Sequence, residues 1–123
     1  MMRLALREAK RSECNNQHGC VLARKKTVLG RGYNSYKASP AWGSRKVHSS
    51  QGYVFFTLHA EASAIRQAVN RGIDVAGSTL YVARAGFKNS RPCDGCMELI
   101  RKYQIDRIFY TNSQGQIDEY EAT

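Results

Sequence analysis

Thr79-Leu80-Tyr81-Val82-Ala83 and Ile105 to Tyr110 read as buried β-strands, and Cys93 to about Tyr103, entered by Pro92, reads as a helix between them. A strand–helix–strand crossover sets its two strands parallel and lays its helix across one face of the sheet they share. The rest of the chain supplies further cover and further strands. Met2 to about Ser12 has helix formers, with Leu4, Ala5 and Ala9 at helical spacing. Gly19-Cys20-Val21-Leu22-Ala23 and Val28-Leu29-Gly30-Arg31-Gly32-Tyr33 flank the turn-like Arg24-Lys25-Lys26, the pattern of a β-hairpin. Leu58 to about Asn70 is helical, with Ala62, Ile65, Ala68 and Val69 on one face and Gly72 as its stop. The order is α-β-β-α-β-α-β, which implies an α/β fold whose mixed sheet has an N-terminal β-hairpin and a parallel β-α-β part. In such sheets the site lies where strands end and helices begin. Asn34 to about Gln51 shows no periodicity and reads as a binding loop or lid. The polar tail from Thr111 onward has room for one short helical turn.

With 123 residues, 42% apolar and 24% charged, the composition is that of one globular domain spanning 1–123. No apolar run approaches the roughly 18 residues of a membrane helix. Met1-Met2-Arg3-Leu4-Ala5-Leu6-Arg7-Glu8 carries charge too early for a signal peptide. A soluble, cytoplasmic protein without a membrane partner is therefore expected. Cys14, Cys20, Cys93 and Cys96 are too few for a disulfide scaffold, and cytosolic cysteines read as metal-binding, redox or core residues. The charge is lopsided. Residues 1–50 hold 11 Lys/Arg against 2 Asp/Glu, whereas residues 51–123 hold 8 of each sign, so the whole excess of +9 belongs to the first part. It suits a phosphate-bearing partner, nucleotide or nucleic acid, and equally a solvated basic surface.

Two motifs fall at helix starts: His59-Ala60-Glu61 and Pro92-Cys93-Asp94-Gly95-Cys96. Cys-x-x-Cys lets two thiolates bind one metal from the first turn of a helix. Zinc accepts that pair with one imidazole and keeps its fourth position open, the arrangement of a catalytic rather than a structural site. His59, Cys93 and Cys96 supply the three ligands. Glu61, two residues beyond the histidine, is poorly suited as a fourth ligand but well placed to exchange protons with water there. Two helix N-termini add positive potential that favours thiolates.

H-x-E followed by P-C-x-x-C is the signature of zinc-dependent nucleobase deaminases, and the chain resembles that superfamily over about residues 1–112. Gly32-Tyr33-Asn34 after the hairpin, Ala64-Ile65 after His-Ala-Glu, and Gly77-Ser78-Thr79-Leu80-Tyr81-Val82 before the cysteines resemble the cytidine/deoxycytidylate (CMP/dCMP-type) branch, as does Ile105 to Tyr110. The resemblance implies a three-layer α/β/α cytidine deaminase-like fold and Zn2+ held by His59, Cys93 and Cys96. It implies Glu61 as the proton shuttle, Asn34 as a contact to sugar or base, and the Ala60 backbone as reader of the base edge. It implies a nucleotide substrate, dCMP or CMP, converted to the uracil nucleotide with release of ammonia. The family's habit of assembly implies a homo-oligomer. Ser63 departs from the Asn common after His-Ala-Glu in deoxycytidylate deaminases, the connection from Val82 to Pro92 is long, and a final strand and helix are expected to be missing or reduced.

Other readings attach to the same residues. The substrate could be a polynucleotide, either cytosine in single strands or adenosine in tRNA, or the chain could be a zinc-stabilised nucleic-acid-binding module without catalysis. Cys93 and Cys96 could form a structural zinc site or a redox pair. Glu61 could serve as a helix-start carboxylate, and Asn34 could simply end the hairpin. Cys14, His18, Cys20 and His48 could build a second zinc site. Arg84, Lys88 and Arg91 could meet a phosphate, and Tyr36 or Trp42 could stack on a base or pack the loop down.

Overall fold

A computed structural model describes residues 1–14, 16–37, 44–48, 54–86, 89–92, 94–112, 114 and 116–121, with backbone alone for 37, 44–48, 54–57, 94 and 121. The elements run α1 (Met2–Ala9), β1 (His18–Arg24), β2 (Thr27–Tyr33), β3 (Ser35–Lys37), β4 (Ser44–His48), β5 (Val54–Leu58), α2 (Ala60–Asn70), β6 (Thr79–Arg84), α3 (Asp94–Lys102), β7 (Arg107–Thr111) and β8 (Ile117–Glu121). The main sheet has the order β2-β1-β6-β7-β8. The expected hairpin is there, with β1 antiparallel to β2. The expected crossover is there too, with β6 and β7 parallel and α3 between them. Because β1 and β6 are antiparallel, the sheet is mixed.

Side chains alternate across each strand and fill two cores. Cys20 and Leu22 of β1, Leu80 and Val82 of β6, and Ile108 of β7 enter the larger core, where Ala60, Ala64, Ile65 and Ala68 of α2 and Met97 and Ile100 of α3 meet them. Val21 and Ala83 point the other way, to a smaller core closed by Ala5 of α1. The layers are therefore α1, sheet, and α2 with α3. No helix among the described residues is long and apolar enough to cross a membrane.

Three segments differ from the sequence reading, and one of them is β5, a strand whose last residue, Leu58, that reading gives to the following helix. Within Asn34–Gln51, β3 and β4 are strands, and both pair antiparallel with β5 in a separate sheet of order β3-β5-β4. Lys, Arg, Ser and His side chains give β3 and β4 no apolar alternation, so their pairing rests on backbone hydrogen bonds that a hydropathy pattern does not reveal. The tail holds β8 rather than a helical turn, antiparallel to β7, so the final strand is present. It reads as polar because it is an edge strand: Tyr120 packs on the larger core, while Ile117 stands 53% exposed. Trp42 lies outside the described residues.

Three glycines let helices lie almost on the backbone of the sheet. A Cβ on Gly19 would collide with the Ala5 carbonyl and the Ala9 amide of α1, and one on Gly30 with the Ala64 carbonyl of α2. At Gly32 a Cβ would stand 2.6 Å from Ser63 Cβ and 2.7 Å from the Ala64 amide. At the far end, Gly72, with φ of 75°, closes α2 in the left-handed conformation that glycine accepts without strain. Gly32→Ala should therefore lift the start of α2 and cost about 1–3 kcal/mol through overpacking. Urea or thermal unfolding checks this, and stability equal to that of the parent would show that α2 is not held by this approach.

Candidate active site

The small sheet delivers the chain to the site. β5 ends at Leu58, and His59 then takes an extended conformation as the N-cap of α2, with φ −74° and ψ 152°. Its carbonyl accepts the Ser63 N–H at 3.0 Å, which starts the helix. Ala60 and Glu61 form the first turn, and both are buried, Glu61 to 5% exposure. From the opposite side α3 brings in Cys96, also buried. His59 Nδ1 lies 3.2 Å from Cys96 Sγ, and the donor atoms of His59, Glu61 and Cys96 all lie within 4.8 Å of one another. Two ligands at the usual zinc–nitrogen and zinc–sulfur distances subtend about 3.5 Å at a tetrahedral angle. The nitrogen and sulfur are thus spaced to share one ion, and the donor set suits zinc. The Glu61 carboxylate stands beside them, within reach of a fourth position. Cys93, the third expected ligand, lies outside the described residues.

The alternative of a second metal site at Cys14, His18 and Cys20 finds no support: among the described residues His59, Glu61 and Cys96 form the one cluster able to hold a metal. Cys20 instead packs inside the larger core. Burial pushes its thiol pKa well above the ordinary value, and the nearby Glu61 charge adds to that. His48 is described by its backbone alone.

A cavity of about 390 Å³ opens above this cluster, lined by His59, Ala60, Glu61, His18, Asn34 and Tyr36, with Arg91 among its other walls. That is the scale of a small-molecule site. Asn34 is in the wall, and it also works as a latch. Its Oδ1 accepts the His18 N–H at 2.9 Å and its Nδ2 donates to the Asn16 carbonyl at 2.6 Å. Its own N–H donates to the His18 carbonyl at 3.2 Å. Each amide atom keeps one further hydrogen-bonding position for a ligand. His18 has its pKa lowered, chiefly by burial; Glu61 pulls the other way, and Arg84 lowers it further. Arg84 is tied to Asn16 Oδ1 at 2.6 Å, and Arg91 lies 5.7 Å over the Tyr120 ring. Lys88 falls outside the described residues.

Ser90 carried no signal in the sequence, yet it anchors the loop that leads to the cysteines. It is buried, its N–H donates to the Thr111 carbonyl at 2.7 Å, and its Oγ accepts the Thr111 N–H at 2.8 Å. The hydroxyl hydrogen faces the Val82 carbonyl at 2.9 Å. One side chain thereby fixes Pro92 and the start of α3 to the ends of β6 and β7. A serine ahead of Pro-Cys looks like any loop serine until the β7 end is placed beside it.

The family profile for the cytidine and deoxycytidylate deaminase zinc-binding region matches residues 1–112. The chain belongs to this family. It is a zinc-type hydrolytic deaminase, and the cluster of His59, Glu61 and Cys96 lies in its zinc-binding region. Solved structures agree on the deaminase fold. Apo dCMP deaminase from the cyanophage S-TIM5 superposes with a TM-score of 0.65 at 22% identity, covering 91% of this chain and 79% of that one. Cytidine deaminase from Burkholderia pseudomallei gives 0.70 at 17% identity, covering 98% and 89%. A diaminohydroxyphosphoribosylaminopyrimidine deaminase/5-amino-6-(5-phosphoribosylamino)uracil reductase from Thermotoga maritima gives 0.60 at 22%, covering 89% of this chain but 27% of that one. No curated protein sequence matches the deaminase. In this deaminase, Ser90→Ala should remove the buried hydroxyl that accepts from the Thr111 N–H and meets the Val82 carbonyl, and cost about 1–3 kcal/mol. Chemical denaturation reads the loss, and an unchanged midpoint would remove Ser90 from the anchoring of the cysteine loop.

Proposed function

We propose that the chain, as a single domain, deaminates a cytosine mononucleotide, dCMP or CMP, to the uracil nucleotide and ammonia. The observation that carries this reading is a cavity sized for a small molecule, with His59, Ala60 and Glu61 together in its wall. The solved complex of the cyanophage S-TIM5 enzyme with dCMP and dUMP supports a nucleotide of this class. A cytoplasmic setting, where thiols stay reduced, suits Cys96 and Cys93 as metal ligands.

His59, Cys93 and Cys96 would hold zinc, which supplies Lewis acidity and brings the pKa of water to about 7. Glu61 takes the proton of the attacking water as the carbon–oxygen bond forms at the amino-bearing ring carbon. It gives that proton to the adjacent ring nitrogen. A second proton passes through it to the departing nitrogen as the carbon–nitrogen bond breaks and ammonia leaves. The Ala60 backbone, at the buried start of α2, reads the base edge, and Asn34 meets the sugar side. Burial of Glu61 excludes bulk water from these transfers.

Glu61→Gln should retain one zinc per chain by elemental analysis and lose at least about 10²–10⁴-fold in turnover, the range for general acid–base groups. Near-parental turnover would refute the shuttle, and zinc-free active protein would refute the metal. Ammonia release from a panel of nucleotides and oligonucleotides tests the substrate. Mononucleotide turnover with a shallow salt dependence is expected. Oligonucleotide binding with a log–log salt slope of about −0.7 per phosphate neutralised, without mononucleotide turnover, would move the substrate to a strand.

A further inference from the structure

Along one face of β1 the residues step outward from the reaction centre. Cys20 is fully buried in the core, within the electrostatic reach of Glu61. His18, two residues earlier and so on the same face, is half-buried and lines the cavity. Asn16, two residues earlier again, is exposed at the rim and also lines it. A nucleotide whose base lies against Glu61 and Ala60 therefore places its next unit, the pentose, at the level of His18 and Asn34.

The imidazole of His18 is not needed to hold β1. The backbone of His18 is fixed by Asn34 on both its N–H and its carbonyl. The chain at this end is further tied by Ala85 N–H to the Gln17 carbonyl at 2.9 Å. Burial favours the neutral ring, which carries one donor nitrogen and one acceptor nitrogen. An acceptor in a cavity wall, one step above the base, matches a hydroxyl donor.

We propose that His18 is a specificity-determining residue that accepts a hydrogen bond from a pentose hydroxyl of the substrate. The proposal rests on the mononucleotide reading above and adds a residue that neither the deaminase signature nor the ligand set contains. It separates His18 from a merely structural role through non-additivity, since deleting the donor from the substrate and the acceptor from the protein removes the same bond.

The test compares dCMP with its 2′,3′-dideoxy analogue on the parent, His18→Ala and His18→Gln. In the parent, loss of the hydroxyl should lower kcat/KM on the order of 10-fold, the worth of one such bond. His18→Ala should show a similar loss on dCMP and no further loss on the analogue. His18→Gln, which keeps an acceptor, should restore part of the preference for dCMP. Equal losses from the hydroxyl in parent and His18→Ala overturn the assignment. So does a parent that treats the two substrates alike, a measurement that needs no variant to fold. A parent that turns over no cytosine nucleotide overturns the mononucleotide reading itself, and this assignment with it.

Discussion

The distance between α2 and β2 fixes where the chemistry can happen. Gly30 and Gly32 present bare backbone to Ala64, Ala68 and Ser63, and no side chain separates helix from strand there. Gly32 is also the register partner of Cys20 on β1, so the same close approach lowers the first turn of α2 toward the β1 face that carries Cys20 and His18. A helix seated one side chain higher would carry His59 and Glu61 away from Cys96. Ser63, the departure from the asparagine of deoxycytidylate deaminases, sits directly over Gly32. Its small side chain is what this spacing accepts.

Burying Glu61 is costly unless something nearby favours its charge. The N-terminus of its own helix provides part of that, and the cation suited to the His59–Cys96 pair would provide more. Cys20 shows the same field from the other sign. With a carboxylate close by and no water around it, its thiol is held neutral. A neutral thiol is a poor metal ligand, so the core cysteine is ill suited to hold a cation. The two cysteines near this carboxylate thus stand in different surroundings, Cys96 near a helix start and Cys20 in the middle of an apolar layer.

Strong local patterns made most of the fold legible in the sequence. The hairpin, the α2 pattern ending at Gly72 and the β6–α3–β7 crossover each have a period and a stop signal, and each appears where it was read. The site motifs were legible because helix starts carry distinct chemistry, and the structure brings His59 and Cys96 together from segments 37 residues apart in sequence. What stayed hidden depends on partners distant in the chain. β3 and β4 are strands because β5 pairs with both, and β5 itself was blurred by its direct run into His59. Ser90 matters because the end of β7 lies beside it, and Asn34 is a latch because residues 16–18 pass beneath it. None of these pairings leaves a periodic trace.

Several of the basic residues in the first part of the chain have structural partners. Arg11 and Arg31 both turn toward the buried Glu8, at 3.3 and 4.0 Å, and so join α1 to β2. Arg24 donates to the carbonyls of Asp74 and Ala76 at 2.7 and 3.0 Å, closing the loop after α2. Lys25 and Lys26 form the hairpin turn at the far end of β1 from His18. At about 3.3 Å per residue, that strand sets them roughly 20 Å from the cavity, beyond the Debye length of about 8 Å at physiological salt. A phosphate on a nucleotide in the cavity would scarcely feel them. The described arginines near it are Arg91 in the cavity wall and Arg84 on its Asn16 rim, both from the half of the chain whose net charge is zero. Among the described residues, the cations placed for a mononucleotide are therefore set by where β6 ends and where the cysteine loop begins, while Arg11, Arg24 and Arg31 hold other parts of the sheet together.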